Sequence, residues 1–389
     1  MQPIYLDYNA TTPVDPRVFA AMRPYLEHVF GNPSSSHSFG REAHAAVDRG
    51  RMQVAALLNA APEEIVFTGG GSESNNHAIK GMAFARRNRG DHIITTQIEH
   101  PAVLHTCRYL EQRHGFRVTY LPVNRYGQVD PATVAAAITD RTILITIMHA
   151  NNEVGTIQPI AAIAAIAHAA GVPMHTDAAQ SVGKIPVNVQ ELGVDLLTVA
   201  GHKLYAPKGI GALYIRSGVE LDALIHGASH EHGRRAGTEN VAAIVALGVA
   251  CRLAAECLTE QAARLRELRD RLYRGLTERV GLLHRSGHPT DCLPNTLHVC
   301  VPDVDGEAVL ALAPEIAAST GSACHAGRSE PSAVLLAMGI EPGLARGALR
   351  LSLGRWSTAE EVDRAAVVLA GAIQVLRTNG MGRSQTNPA

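Results

Sequence analysis

The chain has 389 residues, 46% of them hydrophobic and 18% charged, enough to bury a large core and to form one large domain with a smaller one. With 35 Lys and Arg against 36 Asp and Glu its formal charge is −1, so neither sign dominates and neither nucleic acid nor an anionic membrane is an expected partner. Residues 1–14 read as an irregular arm without the charged and then apolar regions of a secretory signal, which makes a cytoplasmic protein the expectation. Asp15-Pro16 then caps a helix expected to run to about His28. A turn-rich loop, 31–40, leads to a helix over 41–58. From there short apolar strands alternate with helices: strands at 65–68, 92–96, 118–121, 142–149 and 173–176, and helices opening at Ser72, Pro101, Pro131 and Ile160. That alternation predicts an α/β fold with a mainly parallel sheet. The apolar stretches 160–172, broken by His168, and 241–255, broken by Arg252, fall short of about 18 uninterrupted residues and read as core helices. Beyond a Gly/His-rich loop at 226–237 comes a long helical region from Val241 to about Leu276, then strands near 296–301 and 348–353 with helices near 306–313, 331–338 and 358–376. The expected organisation is a large cofactor-binding domain over 15–255, a small α+β domain made of 1–14 plus 256–376, and a disordered tail over 377–389.

The stretch 195–209, DLLTVAGHKLYAPKG, organises the chemistry. An apolar strand, 196–200, ends just before Lys203, and Pro207 and Gly209 stop regular structure after it. A lysine on such a turn, among apolar neighbours, loses preference for the charged form, as an imine-forming lysine requires; a solvated loop lysine is the plain alternative. The segment 67–74, FTGGGSES, ends a strand and opens a helix, placing free backbone N–H groups where a phosphate docks, or else making only a tight turn. Asp177, just past a strand end, can hold a pyridinium nitrogen protonated or cap a helix, with Gln180 one turn on. His100 can stack on a flat cofactor and exchange protons, or be structural. Asn151, at another strand end, offers an amide or a turn. The six cysteines lack metal-site or disulfide-framework spacing, so no metal site is expected. Cys324 alone lies in a Gly/Ser/Ala-rich loop, with His325 beside it, a setting that supports a reactive thiolate.

Taken in order, YLDYNATTPVDP, GNPSSSH, GSESNN, EHPAV, MHANNEVG, HTDAAQSVGK, GHKLYAPKGIGALY, RRAGTEN, GSACHAG and LRLSLGRW cover nearly the whole length. Together they resemble the pyridoxal-phosphate-dependent cysteine desulfurases of aminotransferase class V, and within them the selenocysteine lyases. The resemblance implies a pyridoxal-phosphate-dependent transferase of fold type I, a homodimer, and Lys203 as the residue forming the internal aldimine with pyridoxal 5'-phosphate. It implies Asp177 on the pyridine nitrogen, His100 stacked on the ring, and Asn151 and Gln180 on the ring-hydroxyl side. Gly71, Ser72, His202 and, from a second subunit, Thr238 would bind the phosphate, and Arg350 with Asn32 the substrate carboxylate. Cys324 would accept sulfur from L-cysteine as a persulfide and pass it to an acceptor or scaffold protein, the free Lys203 amine moving the Cα proton.

Three positions depart from the family pattern. Ala200 stands where many desulfurases carry a phosphate-binding serine, the run 226–235 is poorer in glycine, and His325 replaces a small hydroxyl residue. The segments ACH, GTEN and ARGALRLSLGR resemble the selenocysteine lyases. A lyase acting on L-selenocysteine is therefore one alternative; a transaminase, and a catalytically silent sulfur-transfer scaffold, are the others.

Overall fold

The computed structural model describes residues 3–321 and 331–384; Cys324 and His325 lie outside the described residues. Seven strands form the main sheet in the order Ile65–Thr68, Gly211–Ile215, Leu196–Ala200, Met174–Asp177, Thr142–Thr146, His92–Thr96, Arg117–Leu121. Gly211–Ile215 runs antiparallel to both of its neighbours, and all other pairs are parallel. The expected α/β architecture is thus present, with every residue of Thr142–Thr146 and Leu196–Ala200 buried because helices cover both faces. Successive strand residues feed opposite layers. Ile93, Leu144, Leu196 and Leu213 pack with Ile79, Met82, Val103 and Leu110 of the helices Gly71–Ala85 and Pro101–His114. Ile94, Ile145 and Leu197 face Val54, Leu58, Ile163 and Leu247 on the other side. Each such fully buried Leu or Ile side chain contributes about 2 kcal/mol.

The helix Ser38–Leu58 crosses the first half of the helix Val241–Val280 at two glycines. A Cβ on Gly248 would sit 2.7 Å from Gly50 Cα, and one on Gly50 2.9 Å from the Ile244 carbonyl oxygen, so the backbones meet where neither residue has a side chain. The long helix has 40 residues, reaching past the expected Leu276. It is long and apolar enough by composition to cross a membrane, yet its apolar residues are spent on packing. Leu247, Ala250 and Ala254 join the large core, whereas Leu265, Leu272 and Leu276 join a second one.

That second core is closed by the antiparallel strands Ala348–Ser352, Thr296–Cys300 and His284–Arg285 and by the helix Ala359–Ser384. The final helix continues beyond 376 to Ser384, where the sequence suggested a disordered tail; its opening Glu360 and Glu361 suit a helix N-terminus, and no proline interrupts it before 384. Ile4 and Leu6 of the N-terminal arm enter the same core, and Ile4–Tyr5 pairs in parallel with Ile316–Ala317. Two other boundaries also move. The helix expected to His28 is split into Pro16–Met22 and Pro24–Glu27 because Pro24 has no N–H to continue the first ladder. The strand expected over 142–149 ends at Thr146; beyond it Ile147 and His149 still donate backbone N–H bonds to the His175 and Asp177 carbonyls, while the Met148 N–H turns to the Glu99 carboxylate, before the turn at 150–157.

Candidate active site

The carboxyl ends of the parallel strands converge on a cavity of about 740 Å³, lined by Gly69–Glu73, His100, Met148, Asp177, Gln180 and Lys203 among others. Each side chain arrives as a strand stops. Lys203 closes the 3-10 turn Gly201–Lys203 directly after Leu196–Ala200, so the lysine does leave a strand on a turn. Tyr205 holds that turn from below with φ at 64°, in the left-handed region. Its hydroxyl accepts the Arg355 backbone N–H at 2.6 Å, and its ring lies against Trp356 at 5.2 Å and the Arg355 guanidinium at 4.3 Å.

The Lys203 amine is pushed down to about 8 by burial and by the Arg350 charge, against the opposing pull of Asp177 and Asp7. Its donors meet the backbone carbonyls of Asn9 and, at 2.7 Å, Ala10. Asp177 accepts the Asn75 amide at 2.7 Å through one oxygen and the Ala179 N–H at 2.9 Å through the other, so the carboxylate both shapes the turn and faces the cavity. His100 caps the helix Pro101–His114 through Nδ1, which accepts the Ala102 N–H at 3.1 Å and leaves the proton on Nε2. The ring opens onto the cavity, but protein around its other sides lowers its pKa, as does Lys203. His202 is lowered to about 4 by burial and neighbouring cations, and its Nδ1 lies 3.1 Å from Thr11 Oγ1. Behind His100, Glu99 is pushed up to about 8 by burial, and it accepts the Thr96 hydroxyl at 2.7 Å and the Met148 N–H.

At the opposite wall the helix Gly71–Ala85 begins without any side-chain cap, leaving the N–H groups of its first turn facing the cavity. Gly70, at φ 144°, makes the entry turn, and a Cβ on Gly71 would lie 3.1 Å from the Ala200 Cβ. The glycine-poor run 226–235 is anchored rather than loose. Glu231, at φ 48°, accepts two Arg51 bonds of 2.8 Å and the Phe67 N–H at 2.9 Å, tying the run to the strand that leads into the glycine turn. Arg350 reaches the cavity from Ala348–Ser352, paired with Asp7 at 2.8 Å and bonded to the Asn152 carbonyl at 3.3 Å, while its buried Nε has no partner.

The pattern of the class-V aminotransferase family matches residues 4–365. The chain belongs to that family. A "Cysteine desulfurase IscS" of Methanosarcina thermophila is 50% identical over 376 residues, covering 96% of this chain and 93% of the relative. A solved structure described as a NifS-like protein superposes with a TM-score of 0.89 at 38% identity, over 97% of this chain and all of the other. Another, described as SspA in complex with cysteine, gives 0.81 at 41% identity, over 91% and 99% of the two chains. The cofactor of this class-V aminotransferase is pyridoxal 5'-phosphate, and the cavity fits it. An uncapped helix start suits a phosphate, Asp177 suits a protonated ring nitrogen, a depressed lysine amine suits an aldehyde, and the unpartnered Arg350 Nε suits a substrate carboxylate.

Of the residues picked out in the sequence, this class-V aminotransferase brings Gly71, Ser72, His100, Asp177, Gln180, His202, Lys203 and Arg350 together around one cavity. Asn151 is placed differently: fully buried, it bonds the Ile98 carbonyl at 3.1 Å and the N–H groups of Glu153 and Val154, and its neighbour Asn152 lines the cavity instead. Asn32 and Thr238 are exposed and lie outside the lining, Asn32 accepting the Ser34 N–H at 2.9 Å. Residues not singled out also take part, namely Asp7, Asn9, Asn75 and Lys184. Asn75 had a readable signal, since a helix opening at Gly71 puts it one turn beyond Ser72; Asn9 sits in an arm whose sequence has no periodicity.

Proposed function

We propose that this chain is a cysteine desulfurase, converting L-cysteine to L-alanine and holding the sulfur as a persulfide on Cys324. The observation that carries the reading is the buried Lys203 amine, lowered to about 8, in one cavity with Asp177, the uncapped helix start and Arg350. Arg350 orients the substrate by its carboxylate, with the unused Nε as donor. Asp177 fixes the ring nitrogen and the first turn of Gly71–Ala85 the phosphate, while His100 covers the ring face. Pyridoxal phosphate, when bound, supplies the conjugated acceptor for the electron pair released at the substrate Cα. The Lys203 amine takes the Cα proton and later returns a proton to carbon. The Cys324 thiolate attacks the substrate sulfur; the new S–S bond forms as the Cβ–S bond breaks, with its electron pair staying on the carbon that becomes the alanine methyl group.

Two copies complete the active unit in this reading. Phe30 and Phe39 stack at 5.5 Å with 78% and 51% of their surface exposed, beside an exposed Asn32, and such a face suits a second subunit that would also bring Thr238 to the phosphate. The persulfide passes its sulfur to a protein acceptor, and the free Cys324 thiol needed for the next turnover suits a reducing compartment, the cytoplasm. The test incubates the purified protein with L-cysteine and with L-selenocysteine side by side, measuring alanine and locating any added sulfur by alkylation and mass spectrometry. Alanine from L-cysteine with the extra sulfur on Cys324 is expected. No alanine, or a stable persulfide on another cysteine, would sink the assignment, and alanine from L-selenocysteine alone would replace it with the lyase.

A further inference from the structure

Lys184 is half-buried and does not line the cavity, yet its amine bonds Asn9 and Gln180, two residues that do. It donates to the side-chain oxygens of Asn9 at 2.9 Å and Gln180 at 2.8 Å. Among the described residues no carboxylate pairs with it, and the nearby Lys203 and Arg350 charges oppose a third cation, so burial holds its pKa well below that of an ordinary lysine. What the amine supplies is therefore two directed N–H bonds.

Both recipients bear on Lys203. Asn9 has its polar groups engaged in every direction. Its N–H bonds Ser352 Oγ, its amide nitrogen bonds the Asn152 carbonyl and Thr296 Oγ1, and its side-chain oxygen also accepts from Asn295. Its backbone carbonyl receives the Gln180 amide nitrogen at 2.9 Å together with the Lys203 amine. Gln180 depends on Lys184 more heavily: Lys184 is the one partner of its side-chain oxygen among the described residues, whereas its nitrogen has one N–H on Asn9 and a second left for the cavity.

We propose that Lys184 is a positioning residue, bracing the Gln180 and Asn9 amides so that Gln180 presents an N–H to the cofactor and Asn9 keeps its carbonyl as the seat of the Lys203 amine. Removing the brace leaves a buried amide oxygen without a donor. That oxygen regains a partner only by swinging toward the cavity, where it would present an acceptor in place of a donor.

The inference rests on the cavity binding pyridoxal phosphate, and its test reads binding rather than turnover. Absorbance of the holoenzyme is titrated against pH, and cofactor release is followed after dilution into a trap, for the wild type, Lys184→Met, Gln180→Leu and the double variant. Lys184→Met is expected to shift the titration midpoint and to speed release by roughly 5- to 10-fold, the scale of one lost buried hydrogen bond. Gln180→Leu should do the same and the double variant no more, because both act through one amide. Lys184→Arg, which keeps its donors, should recover part of the wild-type release rate. Wild-type titration and release in Lys184→Met, or additive effects in the double variant, overturn the proposal. Should Lys184→Met fail to fold, the comparison of Lys184→Arg with Gln180→Leu decides it: release from Lys184→Arg as fast as from Gln180→Leu also overturns it. A wild-type protein that binds no pyridoxal phosphate would instead remove the functional reading beneath it.

Discussion

At the level of single residues the site is governed by what burial does to charge. The Lys203 amine is lowered to about 8 mainly by desolvation, so its reaction with an aldehyde should rise with pH through about 8 rather than near the ordinary lysine value. Competitive acylation of the protein followed by peptide mapping measures that midpoint; a value above 10 would contradict the burial argument. Borohydride reduction of the holoenzyme should attach the pyridoxyl group to Lys203, and Lys203→Ala should purify colourless. Asn75→Ala removes a 2.7 Å donor from Asp177 and should weaken cofactor binding by roughly 10-fold, the worth of one hydrogen bond to a charged group at the low end, as read by equilibrium absorbance. Residues of this kind differ in how far the sequence discloses them. Asp177, Lys203 and Gly71 announce themselves because each follows an apolar run that can only be a strand. Asn9 does not: its importance comes from contacts across 171 to 194 positions in sequence, which no local pattern encodes, and Lys184, four positions from Gln180, gains its role only where both meet Asn9.

Among the elements, the alternation of apolar strands with helices was readable because buried parallel strands are short, β-branched and bounded by turn residues. The antiparallel placement of Gly211–Ile215 between Ile65–Thr68 and Leu196–Ala200 was not, since a fully buried strand has the same composition in either direction. For the long helix the sequence places the end near Leu276, whereas Val280 in the second core carries it on. The crossing of Ser38–Leu58 over Val241–Val280 makes a sharper claim. Gly50→Val would drive side-chain carbons into the Ile244 backbone, and the two helices must part or bend, at a cost of about 1–3 kcal/mol. Urea denaturation of the holoenzyme should show a lower midpoint with little change in slope; an unchanged midpoint would mean that the crossing has slack the geometry does not show.

For the molecule as a whole, pH stability follows from the buried titratable groups. His77 and His149 are held near 4, and His175 and His298 near 3, all chiefly by desolvation. Below about 6.5 the unfolded chain binds protons that these folded imidazoles refuse, so their contribution is complete above that pH and is lost as pH falls. Glu99 and Glu153, raised to about 8 and about 7 by burial, act in the opposite sense: they favour the folded state in acid, and that advantage fades as pH rises from the ordinary carboxylate range toward those values. The histidines outnumber them, so the urea midpoint should drop between pH 6.5 and 4, and a flat profile would count against the burial of these rings. The path of the chain through its two cores carries one more consequence, for the order in which a growing polypeptide can become competent. The large core is complete once the ribosome has released the residues up to Ala254, but Ile4 and Leu6 pack with residues that run on to Ile373, and Ile4–Tyr5 must await Ile316–Ala317. A segment synthesised well before the main sheet is thus among the last to dock, and with it come Asn9 and Ala10, whose carbonyls hold the Lys203 amine. A nascent chain already folded around its main sheet would carry the lysine without its seat, so completion of the C-terminal third acts as the signal that arms the site.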